Sequence, residues 1–563
     1  MIRRLALWIG PLLFVGVLFF WPVSKIMALG LAGTWVETLT EPSTLSAIWF
    51  TIWQAALSTV ICLAIGIPGA YVLYRKSFRG QRFVRALITV PLVLPTIIVA
   101  ISFTAFRAVH SMYEGIGLGF IVENPIYWII AAHVFVNYSI TVRTIGGVWA
   151  TLDNETEEAA AMAGAGRLRT LISITLPQLK PAVVSAAALT FLFCSTSFGI
   201  VLILGGGQVN SIETEISVAA TQFLDLNKAA TLALLQTALT IVSFTISETI
   251  TKGAVGLEQV DEGRAKPPID RRDWPVVALT SLVVLGLVAM PIVVVLARAF
   301  VVGDGSVFGF AFGLDNFANL AGRGDRDVLN ISVGQATLNT LRNVSISTTI
   351  AVTLGTTVAY LLSRPVFTRF GRISRRTLDV LFLLPMGVSS VVLGFGYLIT
   401  FGGGGFALRS SWLVVPLVQS LLALPLVIRL IYPALISIGS DHREAASTAG
   451  ATAGQTWWFI ESPMIRGVIT TAIGYALIVS LGEFGAASLL AYGDQATLPT
   501  VLYQLISRPG STNYGMAMAV SALLILLTLA LVFVVSLRKK PEHLILKTAR
   551  GSLRLTRGSG QSK

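Results

Sequence analysis

The chain has 563 residues, 54% of them apolar and only 12% charged, and its formal net charge is +13. Its apolar residues gather in runs of about 20, the length that crosses a bilayer, which excludes a soluble domain and indicates a polytopic helical membrane protein. The excess of Lys and Arg, which in a soluble protein would suggest nucleic acid, falls in alternate loops and therefore reads as topological bias.

Windows of spanning length predict twelve helices in chain order, near 5 to 27, 47 to 74, 87 to 108, 126 to 149, 182 to 204, 229 to 250, 275 to 300, 340 to 363, 378 to 401, 411 to 437, 467 to 491 and 516 to 537. The first follows Arg3-Arg4 as a secretory signal would, but its apolar stretch is long and no small-residue cleavage site follows, so it reads as a retained helix. Basic loops such as Arg75 to Arg85 and Arg364 to Arg376 alternate with loops nearly free of Lys and Arg, which predicts a multi-pass protein of the cell membrane with both termini and the tail from Arg538 cytoplasmic. Cys62 and Cys194 fall within spans and indicate no disulfide framework. His110, His133, His442 and His543 are scattered without metal-ligand spacing and read as ordinary interfacial or packed histidines.

The stretch Glu158 to Ala165, EAAAMAGA, returns as EAASTAGA at Glu444 to Ala451, 286 residues later. The register extends well beyond it. At the same offset Pro177 matches Pro463, Phe198-Gly199 match Phe484-Gly485, Gly207 matches Gly493, Thr214 matches Thr500 and Asn227 matches Asn513. At an offset of 289, Thr51 matches Thr340, Ser58-Thr59 match Ser347-Thr348, Gly66 matches Gly355 and Arg75 matches Arg364. Such a period marks an internal duplication. The fold class is thus all-α, about twelve transmembrane helices as two six-helix repeats, and an even number of spans per repeat makes them parallel. The expected layout is a first half over 1 to 250, a charged linker over 251 to 273 holding Pro267-Pro268, a second half over 274 to 537 and a basic tail over 538 to 563. The Gly- and Asp-rich stretch 302 to 338 is the largest external loop.

Each repeated segment, 154 to 177 and 440 to 463, is expected to begin a short helix capped by Asn154 or Ser440, with Glu155, Glu157 and Glu158 complementing the helix dipole in the first copy. Gly164 or Gly450 then permits a turn, and Pro177 or Pro463 is expected to break a second helical piece before the fifth span of its half. A lone Ala-rich helix could simply lie on the membrane surface. Two copies in phase favour a shared, twofold protein partner.

The segments EAAAMAGAGRLRTLISITLP and EAASTAGATAGQTWWFIESP resemble the EAA loop of permeases in binding-protein-dependent ABC importers, the second departing from the pattern with Ser462 before its proline. The resemblance covers roughly 47 to 250 and 340 to 537 and implies a type I importer fold. In it each loop is a coupling helix seated on one subunit of an ATPase homodimer, and an extracytoplasmic binding protein delivers cargo. Carried over by position, the docking residues are Glu158, Ala159 and Gly164, and Glu444, Ala445 and Gly450. The sequence contains no G-x4-GK[ST] phosphate loop, and its Gly205 to Gly207 and Gly402 to Gly405 runs lie at external span ends. The chain is therefore expected to be no enzyme and to bind no cofactor, ATP and Mg belonging to the ATPase partner. The fused arrangement is similar to the thiamine and ferric iron permease group, and TSFGIVLILGGG at 196 to 207 resembles the thiamine permeases especially closely.

Ser197 and Glu483 stand at equivalent places, each before a Phe-Gly pair. A Glu at membrane depth normally faces a bundle interior or a wet cavity, so Ser197, Phe198, Glu483 and Phe484 are candidates for the translocation path, with a carboxylate and aromatic faces suited to a cationic cargo. The alternative is a Glu that bonds a neighbouring helix and never meets cargo. Trp457 and Trp458 read as interfacial anchors, while Arg143 and Arg429 either pair with loop acids or snorkel. The rival from another class is an ion-coupled twelve-helix carrier, for which the basic loops at 75 to 85 and 363 to 376 speak; the in-phase EAA segments have no role in that fold.

Overall fold

The computed structural model describes residues 2–32, 35–107, 123–153, 155–251, 266–302, 311–364, 369–402 and 411–537. Asn154, His110, His543, Gly403 to Gly405, most of the linker and the basic tail lie outside the described residues. Among the described residues, ten helices are long and apolar enough to cross a membrane as single spans. They are α1 (Ala6–Gly30), α2 (Pro42–Arg75), α5 (Pro125–Thr151), α7 (Leu171–Ser195), α10 (Leu226–Ile246), α11 (Arg271–Ala299), α12 (Val333–Leu362), α15 (Val414–Ser437), α17 (Ala453–Gly482) and α20 (Ser511–Leu531).

The third and ninth expected spans are bent. Gln81–Val93 (α3) meets Thr96–Arg107 (α4) at 106°, and Ile373–Gly387 (α13) meets Ser390–Phe401 (α14) at 96°. Pro91, at the end of α3, and Pro385, in the 3-10 turn Leu384–Gly387, remove backbone donors just before each bend. The fifth and eleventh spans also differ from expectation. They begin earlier, run through Pro177 and Pro463 without a break, and end at Ser195 and Gly482. In each, a π turn, Leu171–Thr175 or Trp457–Glu461, stands two residues before the proline. The wider turn relieves the clash between the proline ring and the carbonyl one turn back, so the helix continues. After each ending comes a short helix opened by the Phe-Gly pair, Phe198–Gly205 (α8) or Gly485–Leu490 (α18). Ile212–Thr221 (α9) and Leu498–Ile506 (α19) follow them.

Some residues that recur at the two offsets make the same bonds in each half. Thr51 Oγ1 accepts from the Ile212 amide at 3.0 Å and Thr340 Oγ1 from the Leu498 amide at 2.8 Å. Ser211 with Thr214 and Thr497 with Thr500 form matching capping boxes. A Cβ on Gly66 would stand 2.5 Å from Thr141 Cγ2, and one on Gly355 would stand 2.6 Å from Val427 Cγ1, so both glycines exist to let α2 cross α5 and α12 cross α15 closely.

In space the first span of each half bridges the two halves. The early part of α1 packs on α12 and its later part on both α10 and α14, where Trp21 meets Phe401 edge to face at 5.5 Å. Likewise α11 packs on α2, α3 and α4 of the first half and on α20 of its own. The end of the linker is tied to the first half: the Ser77 amide donates to the Pro267 carbonyl at 3.0 Å, and Lys76 pairs with Asp273 at 2.7 Å.

Candidate functional site

The two loop helices, Glu155–Met162 (α6) and Ser440–Thr448 (α16), end in one geometry. The Ala165 amide donates to the Ala160 carbonyl at 3.0 Å and the Gly164 amide to the Ala161 carbonyl at 3.0 Å; Ala451 to Ala446 at 2.9 Å and Gly450 to Ser447 at 3.0 Å repeat it. These crossed bonds require a left-handed residue, and Gly164 and Gly450 supply it at φ +81° and +80°. Glu158, Ala159, Gly164, Glu444, Ala445 and Gly450 are all exposed, and no atom lies within 4 Å of where a Cβ on either glycine would stand. The expected cap at Ser440 is not formed. Gly439 occupies the cap position, and the Ser440 hydroxyl bonds the Asp441 carboxylate at 3.2 Å instead.

Ion pairs clamp each loop helix to the bundle, and sequence reasoning missed them. In the first half Arg75, at the end of α2, pairs with Glu157 at 2.8 Å, and Glu157 accepts from Thr175 Oγ1 at 2.9 Å. In the second, Arg364 pairs with Glu461 at 2.6 Å, and Glu461 also holds Arg443 at 2.6 Å. Arg364, Arg443 and Glu461 occupy the places of Arg75, Glu157 and Thr175 at the offsets of 289 and 286. The triad is thus built twice at the same three positions, with its carboxylate moved from the loop helix to the π turn of the membrane helix. The Arg429 guanidinium lies over the Phe244 ring at 5.3 Å. Trp457 packs edge to face on Tyr360, while Trp458 stays exposed.

The four chain breaks converge between the halves around a cavity of about 280 Å³. Non-helical backbone at membrane depth is tolerated where it lines such a cavity. Ser197, Phe198, Glu483 and Phe484 are brought together in its wall. The two phenylalanines, one from each half, stack with centroids 5.6 Å apart at 27°. The glycines after them allow close approach: a Cβ on Gly199 would stand 3.2 Å from Thr96 Oγ1, and one on Gly485 would stand 2.3 Å from Ser390 Oγ. Glu483 is buried, and its two oxygens accept from the Ala486 and Ala487 amides at 2.6 and 3.2 Å. It therefore caps its own following helix while also lining the cavity. Ser197, its counterpart, makes no such cap.

A family model described as the inner membrane component of binding-protein-dependent transport systems matches residues 63–295 and 351–541. The chain belongs to this family. The two matched stretches are the duplication seen in the register, and the fold is that of a type I ABC importer permease. Curated relatives match along nearly the whole length. The thiamine transport system permease protein ThiP of Escherichia coli strain K12 is 24% identical, over 89% of this chain and 90% of its own. The protein of the same name from Brucella abortus strain 2308 is 27% identical over 86% of each chain. A probable ABC transporter permease of Sinorhizobium fredii, y4fN, is 22% identical over 88% and 89%. This permease is thus a fused two-half member, and the ion-coupled carrier is set aside.

Proposed function

We propose that this permease imports thiamine, receiving it from an extracytoplasmic binding protein and passing it to the cytoplasm by alternating access. The observation that carries the mechanism is the pair of exposed loop helices, identical in their ends and clamped to the bundle by matching triads. Each seats on one subunit of a separate ATPase homodimer on the cytoplasmic side, where both chain termini also lie. Glu158, Ala159 and Gly164, and Glu444, Ala445 and Gly450, form the seated faces. ATP-driven closure of the ATPases draws the two helices together. The Arg75 and Arg364 clamps pass that movement to α2 and α12, and the cavity opens outward; hydrolysis reverses it. Cargo passes Ser197, Phe198, Glu483 and Phe484 at the contact between halves. The thiamine assignment is supported by the names of the relatives and by the carboxylate and aromatic wall, which suit an organic cation.

The test is co-purification with candidate ATPase and binding-protein partners, followed by ATPase assay in lipid with thiamine or ferric iron on the binding protein. Stable association, hydrolysis stimulated by thiamine, and loss of both in a Gly164→Val/Gly450→Val variant are expected. Stimulation by ferric iron alone overturns the cargo. Failure of any ATPase to associate overturns the mechanism.

A further inference from the structure

Glu213 is a buried carboxylate that the cavity wall does not use. It is 1% exposed on α9, the short helix between α8 and α10, which the path of the chain places on the side of the bundle away from the loop helices. Among the described residues no cation pairs with it; Lys228 goes instead to Glu41 at 2.6 Å and to Glu215 at 3.3 Å. Its side-chain bonds come from uncharged groups. Gln236 Nε2, on α10, donates to Glu213 Oε1 at 3.2 Å and to the Ser195 carbonyl, where α7 breaks off, at 3.1 Å. Ser389, in the second half, caps α14 by accepting from the Val392 amide at 3.3 Å, and its hydroxyl also reaches the Glu213 carboxylate. One side chain thus joins α7, α9 and α10 of the first half to α14 of the second.

The other copy builds the same contact without these groups. As α9 packs on α14, so α19 packs on α4. At the offset of 286 Glu213 and Gln236 become Pro499 and Ala522, and at the spacing of 294 between the two bends Ser389 becomes Pro95. All three are buried, so the contact closes on apolar groups. Replacing buried charged groups by apolar ones is often neutral or stabilising, so folding does not explain the polar set. A carboxylate with only uncharged partners makes the contact weaker, because it regains water when the helices part. We propose that Glu213 is a positioning residue for transport, a one-sided release point that keeps α9 and α14 in register through Gln236 and Ser389 yet lets them part as the cavity opens outward. The direction of that opening rests on the importer reading; the parting of the two helices is tested on the chain alone.

The experiment measures ATP hydrolysis by the permease with its ATPase in lipid nanodiscs, without binding protein. In the full permease chain alone it also measures the distance between spin labels on Gln222→Cys and Ser507→Cys, exposed positions just beyond α9 and α19 on opposite halves. Glu213→Leu, which gives this contact the apolar character of the other, is expected to lower hydrolysis about fivefold and narrow the distances. Gln236→Leu leaves the carboxylate short of a donor and is expected to raise hydrolysis about tenfold and widen the distances. In Glu213→Leu/Gln236→Leu the rise disappears. Damage to the fold would move both single variants the same way. Should Gln236→Leu not fold, Ser389→Ala carries the same expectation. Single variants that shift in one direction or not at all, or a double variant that keeps the rise, overturn the release point even where ATP-driven uptake persists. If no ATPase associates, the importer reading falls and the label distances decide: opposite shifts uphold the release point, and parallel or absent shifts overturn it.

Discussion

The permuted triads make a quantitative prediction. Glu461 has no exposed side-chain surface and holds two guanidiniums at 2.6 Å, Arg364 with 12% and Arg443 with 20% of their side chains exposed. Removing one member of a buried ion pair costs about 3–5 kcal/mol, and partial access of water to the arginines sets Glu461→Thr at about 3 kcal/mol. Arg443→Glu leaves two carboxylates on Arg364 and costs about 1.5 kcal/mol. The double variant Arg443→Glu/Glu461→Thr writes the first half's Arg75, Glu157 and Thr175 pattern into the second. It should regain most of the loss, giving a coupling energy of about 3 kcal/mol in a double-mutant cycle. Unfolding titrated with SDS in mixed micelles measures all four chains. A double variant no more stable than Glu461→Thr would refute the equivalence of the two clamps.

Gly164→Val and Gly450→Val should each cost the isolated chain only about 1 kcal/mol in the same titration, since the strain is one left-handed residue and the added atoms meet nothing, while retention of an ATPase in pull-down falls more than tenfold. Glu483→Gln keeps an acceptor for the α18 amides and should stay near wild-type stability while uptake into proteoliposomes falls; Glu483→Ala should lose about 2 kcal/mol besides. Gly355→Ala, driven into Val427, should cost about 1–3 kcal/mol, against little change for Gly286→Ala, where nothing stands within 4 Å. Burial alone would lower the Lys76 pKa, but its bonds to Asp273 and Tyr71 outweigh that and raise it above the ordinary 10.5. The linker tie is therefore fully present below pH 10.5 and fades as pH climbs through the higher folded value, which protease cleavage of the linker against pH should follow.

What the sequence revealed depended on whether a residue kept its identity in both copies. Gly66 and Gly355, Thr51 and Thr340, and the two Phe-Gly pairs repeat because each does the same steric or capping task twice, and so the repeats, the loop helices and the stacked Phe198 and Phe484 were legible. Glu157 and Arg443 differ, as do Thr175 and Glu461, because the charges of the second triad are permuted. A comparison of copies discards such positions as divergence. The bends at 94–95 and 388–389 were signalled by Pro91, Pro95 and Pro385, but windows of spanning length average over them. Pro177 misled in the opposite direction, since nothing local announces the π turn that accommodates it.

The bridging first spans have a consequence for how such a permease is made. With α1 and α11 each packed on spans of both halves, contacts across the divide do not depend on the linker, so a chain cut within 252–265 retains its partner. What the covalent join adds is stoichiometry. Two separate halves of similar shape would assemble as like pairs as well as unlike ones, and a like pair would carry the Glu483 wall twice or not at all. One polypeptide guarantees a single copy of each, and so fixes the handedness of the path at synthesis.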